Sequence, residues 1–285
     1  SYYLLKGRDI GFAKRSFAVA ATFGIAAVLS VIVLGDESGY EMGDVQKTKL
    51  AAIEGEWHTE PAPASFNLIA FPNQEKMENT FALQIPYVMG IIATRSFDTP
   101  VLGLHDLMSQ HEVRIRNGMK AYDLLTELRS GNTDPAVRAA FNESKKDLGY
   151  GLLLKRYTEN VSDATEEQIK SAVKDSIPNV APLFWSFRIM VAAGFLMLLV
   201  VAISFWTVLS NRIGNYKWLL RAALFSIPLP WIAVEAGWFV AEYGRQPWAI
   251  GEILPTAVAT SSLTQADILV SMGLICGLYT LLFSG

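Results

Sequence analysis

Cysteine is nearly absent from this chain. The single one, Cys276, excludes an internal disulfide, a Cys-ligated zinc site and an iron–sulfur cluster carried by this chain alone. A lone Cys in an apolar segment reads as packing. Histidine is scarce too. His58, His105 and His111 all fall in one polar region, so no apolar segment offers a His ligand, and the three read as surface residues. Internal repeats are absent. No stretch alternates apolar and polar residues as a half-buried strand does, and there is no signal peptide to read.

What the chain has in quantity is apolar sequence. Of its 285 residues 51% are hydrophobic, and the mean hydropathy is +0.28. That is too apolar for an ordinary soluble domain and too charged for a pure bundle of spans, so spans plus a large wet insertion are expected. Residue 1 is Ser rather than Met, Tyr2–Leu5 reads as the tail of an earlier apolar segment, and Gly285 falls inside an apolar run. The chain is therefore expected to be an internal piece of a longer membrane protein, with residues that complete a site beyond its ends.

Lys6, Arg8, Lys14 and Arg15 precede an uncharged run from Ser16 to Gly35. Twenty residues at about 1.5 Å each give about 30 Å, enough to span a bilayer. The expected organisation is an all-α integral membrane protein of about four transmembrane helices with a large helical extracytoplasmic loop. Residues 1–15 end a preceding span and form a cytoplasmic link, and 16–35 is a transmembrane helix. Residues 36–181 form the outer loop and 182–210 the second span, apolar except for Arg188. A cytoplasmic link at 211–217 leads to a third span at 218–241, an outer loop at 242–267 and a fourth span at 268–285. Charge supplies the orientation. Between Asp36 and Val180 lie 15 basic and 22 acidic residues, whereas basic residues cluster before the first span and around the link at 211–217. By the positive-inside rule those sides are cytoplasmic.

The outer loop reads as folded and helical. Leu104, Leu107, Met108, Ile115, Met119, Tyr122 and Leu125 follow helical spacing. Thr133-Asp134-Pro135 predicts a helix start with Pro at the first helical position. Thr165 and Gln168 fit a capping box, followed by an apolar stripe of Ile169, Val173 and Ile177. Glu60–Phe71, with Pro61 and Pro63, reads as irregular.

Candidate chemistry gathers in three places. In the third span Glu235 and Glu242 are seven residues apart, so at about 100° per residue both project from one helix face, with Trp238 on the same stripe. Acids at membrane depth cost roughly 2.5–3.5 kcal/mol each and usually face a cavity, a cofactor or a proton path. Glu242 suits an iron ligand, a proton carrier or simply an ion-pair partner for Arg245 three residues on. Pro228 and Pro230 allow a bend in this segment. In the second span Arg188 and Met190 place a cation and a thioether near the outer end. A thioether can ligate haem iron, although a Met in a span is far more often packing. Arg188 needs an anion, either a haem propionate or an acid of the loop, unless it snorkels outward. At the start of the outer loop, Lys49 and Glu54 are five residues apart and need not share a helix face. Convergent, they suit holding and deprotonating a small polar headgroup; otherwise they belong to a solvated charged helix.

These segments together resemble one family, the large subunit (subunit I) of cytochrome bd-type ubiquinol oxidase. The resemblance is carried by LKGRD at Leu5–Asp9, VLGDESGYE at Val33–Glu41, KLAAIE at Lys49–Glu54, FRIM at Phe187–Met190, and EAGWFVAEYGRQPW at Glu235–Trp248. GRQPW is the most specific block, and the length of the outer loop matches the family's long Q-loop form. The resemblance implies a terminal oxidase in the bacterial cytoplasmic membrane that oxidises ubiquinol or menaquinol near the outer surface, reduces O2 to water and builds a proton gradient. It implies two haems b and one haem d. Lys49 and Glu54, with Asp36 a weaker candidate, correspond to quinol-binding positions of the Q-loop. Met190 corresponds to an axial ligand of the low-spin haem b, with Arg188 beside it, and Glu242 to an axial ligand of the high-spin haem b. Arg245 would then meet propionates rather than Glu242, and Trp238 would lie close to the haems. The His partner of Met190 and most ligands of haem d would precede residue 1. Implied partners are quinol, O2, a second large oxidase subunit, small single-span subunits and the lipid bilayer, with no nucleic acid. The alternative is a proton- or ion-translocating transporter subunit using Glu235 and Glu242. The lack of inverted repeats and of broken spans weighs against it.

Overall fold

The uncharged run after Arg15 is the middle of one long helix. In the computed structural model, which describes residues 1–96 and 98–284, a short α1 (Tyr2–Lys6) is followed by α2 (Ile10–Val45). The 36 residues of α2 measure about 54 Å, well beyond a bilayer core. Its outer third therefore carries Asp36, Glu37, Glu41 and Asp44 as a helical stalk instead of a loop. At Gln46 the backbone breaks to φ −130°, and α3 (Lys47–Glu54) starts at once. Gly55 ends α3 in the left-handed conformation, φ 66°, its N–H reaching back to the carbonyls of Ala51 and Ala52.

Next comes a correction. Within Glu60–Phe71, read as irregular in a chain without strand alternation, begins β1 (Phe66–Asn73), which forms an antiparallel hairpin with β2 (Glu78–Ile85). The register shifts between Asn67 and Ile69 and again between Ala70 and Pro72. These bulges break the period of two that reveals a strand, and Pro72 sits where a bulge tolerates it. The hairpin also exposes apolar side chains in succession, Leu68, Ile69 and Phe71 among them. The turn is closed by Asn73, whose Oδ1 accepts from the backbone N–H of Glu75 and Lys76.

The rest of the outer region is helical as expected. It comprises α4 (Leu104–Arg129), α5 (Pro135–Ser144), α6 (Leu148–Leu152) and α7 (Glu166–Asp175). Asp134 caps α5 by accepting from Ala136 N–H, with Pro135 in the first turn. Both bonds of the Thr165–Gln168 capping box are present. Three apolar cores result among the described residues, the smallest around Ala64, Met89 and Val101. One joins Ala52, Ile53 and Trp57 to Leu104, Leu183 and Val240, tying the outer region to the spans. Another joins Ile115, Tyr150, Leu154 and Ile169 to Trp248. Backbone crosses backbone between α4 and α6: a Cβ on Gly118 would stand 2.3 Å from the carbonyl oxygen of Asp147.

His111 is a second correction. It is buried, not superficial. Its Nδ1 lies 2.8 Å from Ser176 Oγ, and its Nε2 lies 3.3 Å from Thr48 Oγ1. The residue sits on the inner face of α4 between Leu107 and Ile115, where helical spacing puts it in the core. His58 and His105, near the surface, stack on each other.

The spans follow. α8 (Val180–Leu209) covers the second predicted span, and α11 (Gln265–Ser284) covers the fourth. Gly285, where that span was expected to end, lies outside the described residues. The third span is interrupted. α9 (Lys217–Phe225) and α10 (Leu229–Tyr243) are separated by a turn at Ser226–Pro228, where the two prolines predict a bend. The two helices together still make one apolar segment, Lys217–Tyr243, long enough to cross a membrane. Two short strands, β3 (Trp248–Ile250) and β4 (Leu254–Pro255), follow α10. Among the described residues four helical segments are long and apolar enough to cross a membrane, and their apolar faces are largely uncovered by the chain itself.

Burial holds the His111 imidazole neutral, lowering it from 6.5 to about 4, with Arg114 adding to the effect and Glu252 opposing it. The folded value lies below the unfolded one, so the unfolded chain binds the extra proton. The resulting stability is complete above pH 6.5 and is lost as pH falls towards 4, roughly 3 kcal/mol in all. Hydrogen exchange of α4 and α7 is expected to accelerate across that window in the native protein. The acceleration should be much weaker in His111→Asn.

Candidate functional site

Three elements meet where the outer region touches the membrane spans: α3, the outer half of α8, and the end of α10. The sequence KTKLAAIE places small residues Ala51 and Ala52 inward, fully buried, so that α3 lies close against its neighbours. Glu54 ends this helix and is 2% exposed. Arg188, from the third turn of α8, meets it at 2.7 Å, with side-chain exposures of 10% and 3%. Of the anions left open for Arg188, the structure gives it the acid of the loop. Its guanidinium also donates to the carbonyls of Asn67 and Leu68 on β1, and it lies over the rings of Phe66 and Phe184 at 4.5 and 4.3 Å. Burial drives the Glu54 carboxyl above the usual range, while the charge of Arg188 and its hydrogen bond pull it back.

Lys49, about one and a half turns earlier on α3, is half-buried and reaches α10 instead. Its Nζ donates to the carbonyl of Ala241 at 3.2 Å, one of the carbonyls a helix end leaves free. Its stem crosses Gly244, where a Cβ would stand 2.9 Å from Lys49 Cε and 2.5 Å from the Val240 carbonyl oxygen, and that backbone contact leaves residue 244 no room for a side chain. Burial lowers the Lys49 ammonium, Arg245 lowers it further, and Glu242 opposes both. Lys49 is thus brought electrostatically to the GRQPW block, whereas Glu54 is brought to α8. Asp36 joins neither. It pairs with Arg95, which also holds Glu37.

On α10, Glu235, Trp238 and Glu242 occupy one exposed stripe, as their spacing predicts, with Trp238 62% exposed. Glu242 and Arg245 form a half-exposed pair at 2.8 Å, the simple pairing that the family resemblance sets aside. Opposite, Met190 on α8 directs its sulfur at α10: a Cβ on Gly237 would stand 3.0 Å from Met190 Sδ. A glycine at 237 is what leaves room for that sulfur. As donors, a thioether and a carboxylate both suit haem iron. Because none of the three His lies in a span, each supplies only one side of an iron. The donor set therefore fits haem in part. No three His, Cys, Asp or Glu among the described residues gather into a metal cage of their own.

Sequence reasoning missed several residues of this region. Glu56 is 4% exposed and bonded to Asn67 Nδ2 at 2.9 Å. Asn79 accepts from Trp57 Nε1 and donates to the carbonyl of Gly55, locking the turn after α3. The one available signal was the second acid in Glu54-Gly55-Glu56, directly after an apolar run. The outer end of α10 is also tied down more firmly than expected. Trp248 packs edge-on against Tyr150, and Glu252 accepts from Arg114 at 2.8 Å and from Tyr150 at 3.2 Å. Arg114 in turn holds the buried Asp147. A cavity of about 490 Å³ lies between Gln74, Met77, Asp175, Tyr243 and Gln246, and neither Lys49 nor Glu54 lines it.

The family described as cytochrome bd terminal oxidase subunit I matches residues 1–285. The chain is 50% identical to the cytochrome bd-II ubiquinol oxidase subunit 1 of Escherichia coli (strain K12) over 281 residues, which are 99% of this chain and 55% of that protein. It is 27% identical to the cytochrome bd ubiquinol oxidase subunit 1 of Bacillus subtilis (strain 168) over 273 residues, 95% of this chain and 46% of that one. It thus spans about half the length of these curated relatives. With a family match over all its residues, the chain belongs to the cytochrome bd terminal oxidase subunit I family.

Proposed function

We propose that this chain is the quinol-oxidising part of a haem-containing terminal oxidase of the bacterial cytoplasmic membrane, with residues 36–181 on the outer side. The observation that carries the reading is the Glu54–Arg188 pair. Arg188 stands two residues from Met190, about 3 Å along the α8 axis. The acid able to take a proton and the thioether able to ligate iron are therefore fixed to one rigid element. The names of the relatives support quinol as the reductant.

In this reading the hydroxyls of a quinol ring meet α3. Lys49, its ammonium weakened by burial, donates a hydrogen bond to one ring oxygen. Glu54, its carboxyl made more basic by burial, accepts a proton from a hydroxyl as general base. Arg188 opposes the effect of burial on Glu54 and keeps its carboxyl aimed. Met190 and Glu242 would each hold one face of a haem b iron, Arg245 would exchange Glu242 for a propionate, and Trp238 would pack beside the ring. Bound haem, two b and one d, supplies the one-electron acceptors between quinol and O2. The remaining ligands, a second large subunit and small single-span subunits come from outside this chain. Asp36, held by Arg95, has a supporting role at most in quinol binding.

Two outcomes test the reading in the full-length oxidase. Met190→Leu is expected to remove the low-spin haem b band from the reduced-minus-oxidised spectrum; an unchanged band rejects that ligand. Glu54→Ala is expected to lower quinol oxidation on the order of 100-fold while the haem bands persist. Wild-type turnover in that variant contradicts the assignment of α3.

A further inference from the structure

Glu56 is a buried carboxylate that the chemistry above leaves without a part. It follows Glu54 by two residues, around the left-handed turn at Gly55. Asn67 Nδ2 donates to Glu56 Oε1 at 2.9 Å and to the backbone carbonyl of Glu54 at 3.1 Å, so one amide fixes both residues. Asn67 Oδ1 accepts from Gln84 Nε2 at 3.1 Å, and the same nitrogen lies 3.4 Å from Glu60 Oε1. Glu60 is only half-buried and its other oxygen accepts from Ser65 N–H. The hairpin thus sets three carboxylates in a row, from Glu54 at 2% exposure through Glu56 at 4% to Glu60 at the surface.

The charged groups acting on Glu56 are Glu60, Glu54 and Arg188. The one cation among them is already engaged by Glu54. Two buried acids facing a single guanidinium cannot both be ionised cheaply, so the pair holds a proton. Burial first, then Glu60 and Glu54, push Glu56 up to about 8, with Arg188 opposing.

We propose that Glu56 is a proton station of the quinol site, receiving the proton that Glu54 takes from the hydroquinone and passing it to Glu60 and the outer solvent. The proposal rests on the quinol reading. In the first step the proton that the pair already holds leaves Glu56 for Glu60; a hydroquinone O–H bond then breaks and an O–H forms on Glu54, with one electron going to the acceptor that bound haem would supply. In the second step the Glu54 O–H breaks and an O–H forms on Glu56. In the third Glu60 gives its proton to the outer solvent, and both buried acids are back in their starting state, Glu54 ionised and Glu56 protonated. Asn67 and Gln84 carry no proton; their amides hold the carboxylates of Glu56 and Glu60, while Arg188 holds that of Glu54. Glu56 must be empty to receive, so turnover rises with pH through its titration.

The test is steady-state oxidation of a short-chain ubiquinol by membranes holding the full oxidase, from about pH 6 to about pH 10, a range set to bracket the expected group. The wild type is expected to show a limb in kcat near pH 8. Glu56→Gln keeps the bond to Asn67 and should lower kcat on the order of 100-fold, remove the limb, and leave KM and the haem spectrum unchanged. Glu56→Asp should restore the rate and a limb. A flat wild-type profile overturns the proposal without any variant, as does wild-type turnover with the limb intact in Glu56→Gln. Equal losses in Gln and Asp variants also overturn it, marking a structural role. Should neither variant assemble with haem, the wild-type profile decides. If Glu54→Ala abolishes turnover while Glu56→Gln does not, only the station fails; if Glu54→Ala is fully active, the quinol reading itself fails.

Discussion

The fold turns on one buried ion pair, Glu54 with Arg188. A guanidinium that is 10% exposed and a carboxylate that is 3% exposed sit at the boundary between the outer region and the spans. Leaving either without its partner strands a buried charge, which costs far more than the pair contributes when complete. The pair therefore acts as a registration device as much as a source of stability. It fixes the end of α3 against the outer half of α8. Through the carbonyls of Asn67 and Leu68 it fixes the hairpin as well. The fully buried Ala51 and Ala52 allow the approach that makes this contact possible.

A second tie holds the other wall. Lys49 reaches the end of α10 across Gly244, and Trp248 with Glu252 anchors the segment after α10 in the second core of the outer region. The outer loop is thus clamped to both helices that carry candidate iron ligands, α8 through Arg188 and α10 through Lys49 and Trp248. A base for quinol protons gains from such a clamp, because proton and electron acceptors must stay in fixed relation while the headgroup exchanges. Exposed Glu235, Trp238 and Glu242 then lie on the face of α10 that the chain leaves uncovered.

Local chemistry was legible in the sequence where it is written locally. Asp134-Pro135 and Thr165–Gln168 encode helix starts through nearby side chain–backbone bonds, and both appear as read. The spans follow from apolar run length, and the break at Ser226–Pro228 from two prolines. Whatever depends on distant partners was not legible. His111 has the spacing of a core residue but is polar, and only Ser176 and Thr48, more than sixty residues away in each direction, make its burial tolerable. The hairpin hid behind its bulges. Of the candidate site, Lys49, Glu54, Arg188 and Glu242 could be picked out singly, but spacing alone could not join Glu54 to Arg188, 134 residues away. Glu56 went unnoticed because its importance comes from burial and from neighbours on the hairpin.

The claim that the loop is registered on α8 by this ion pair is tested most directly by a double-mutant cycle in the full oxidase, comparing Glu54→Ala, Arg188→Ala and the double variant by thermal unfolding of the outer region. Each single variant is expected to lose about 3–5 kcal/mol. The double variant should lose no more than the worse single one, because removing the second partner removes the stranded charge. Losses that add to within about 0.5 kcal/mol would mean that the two residues act independently, and would contradict the account.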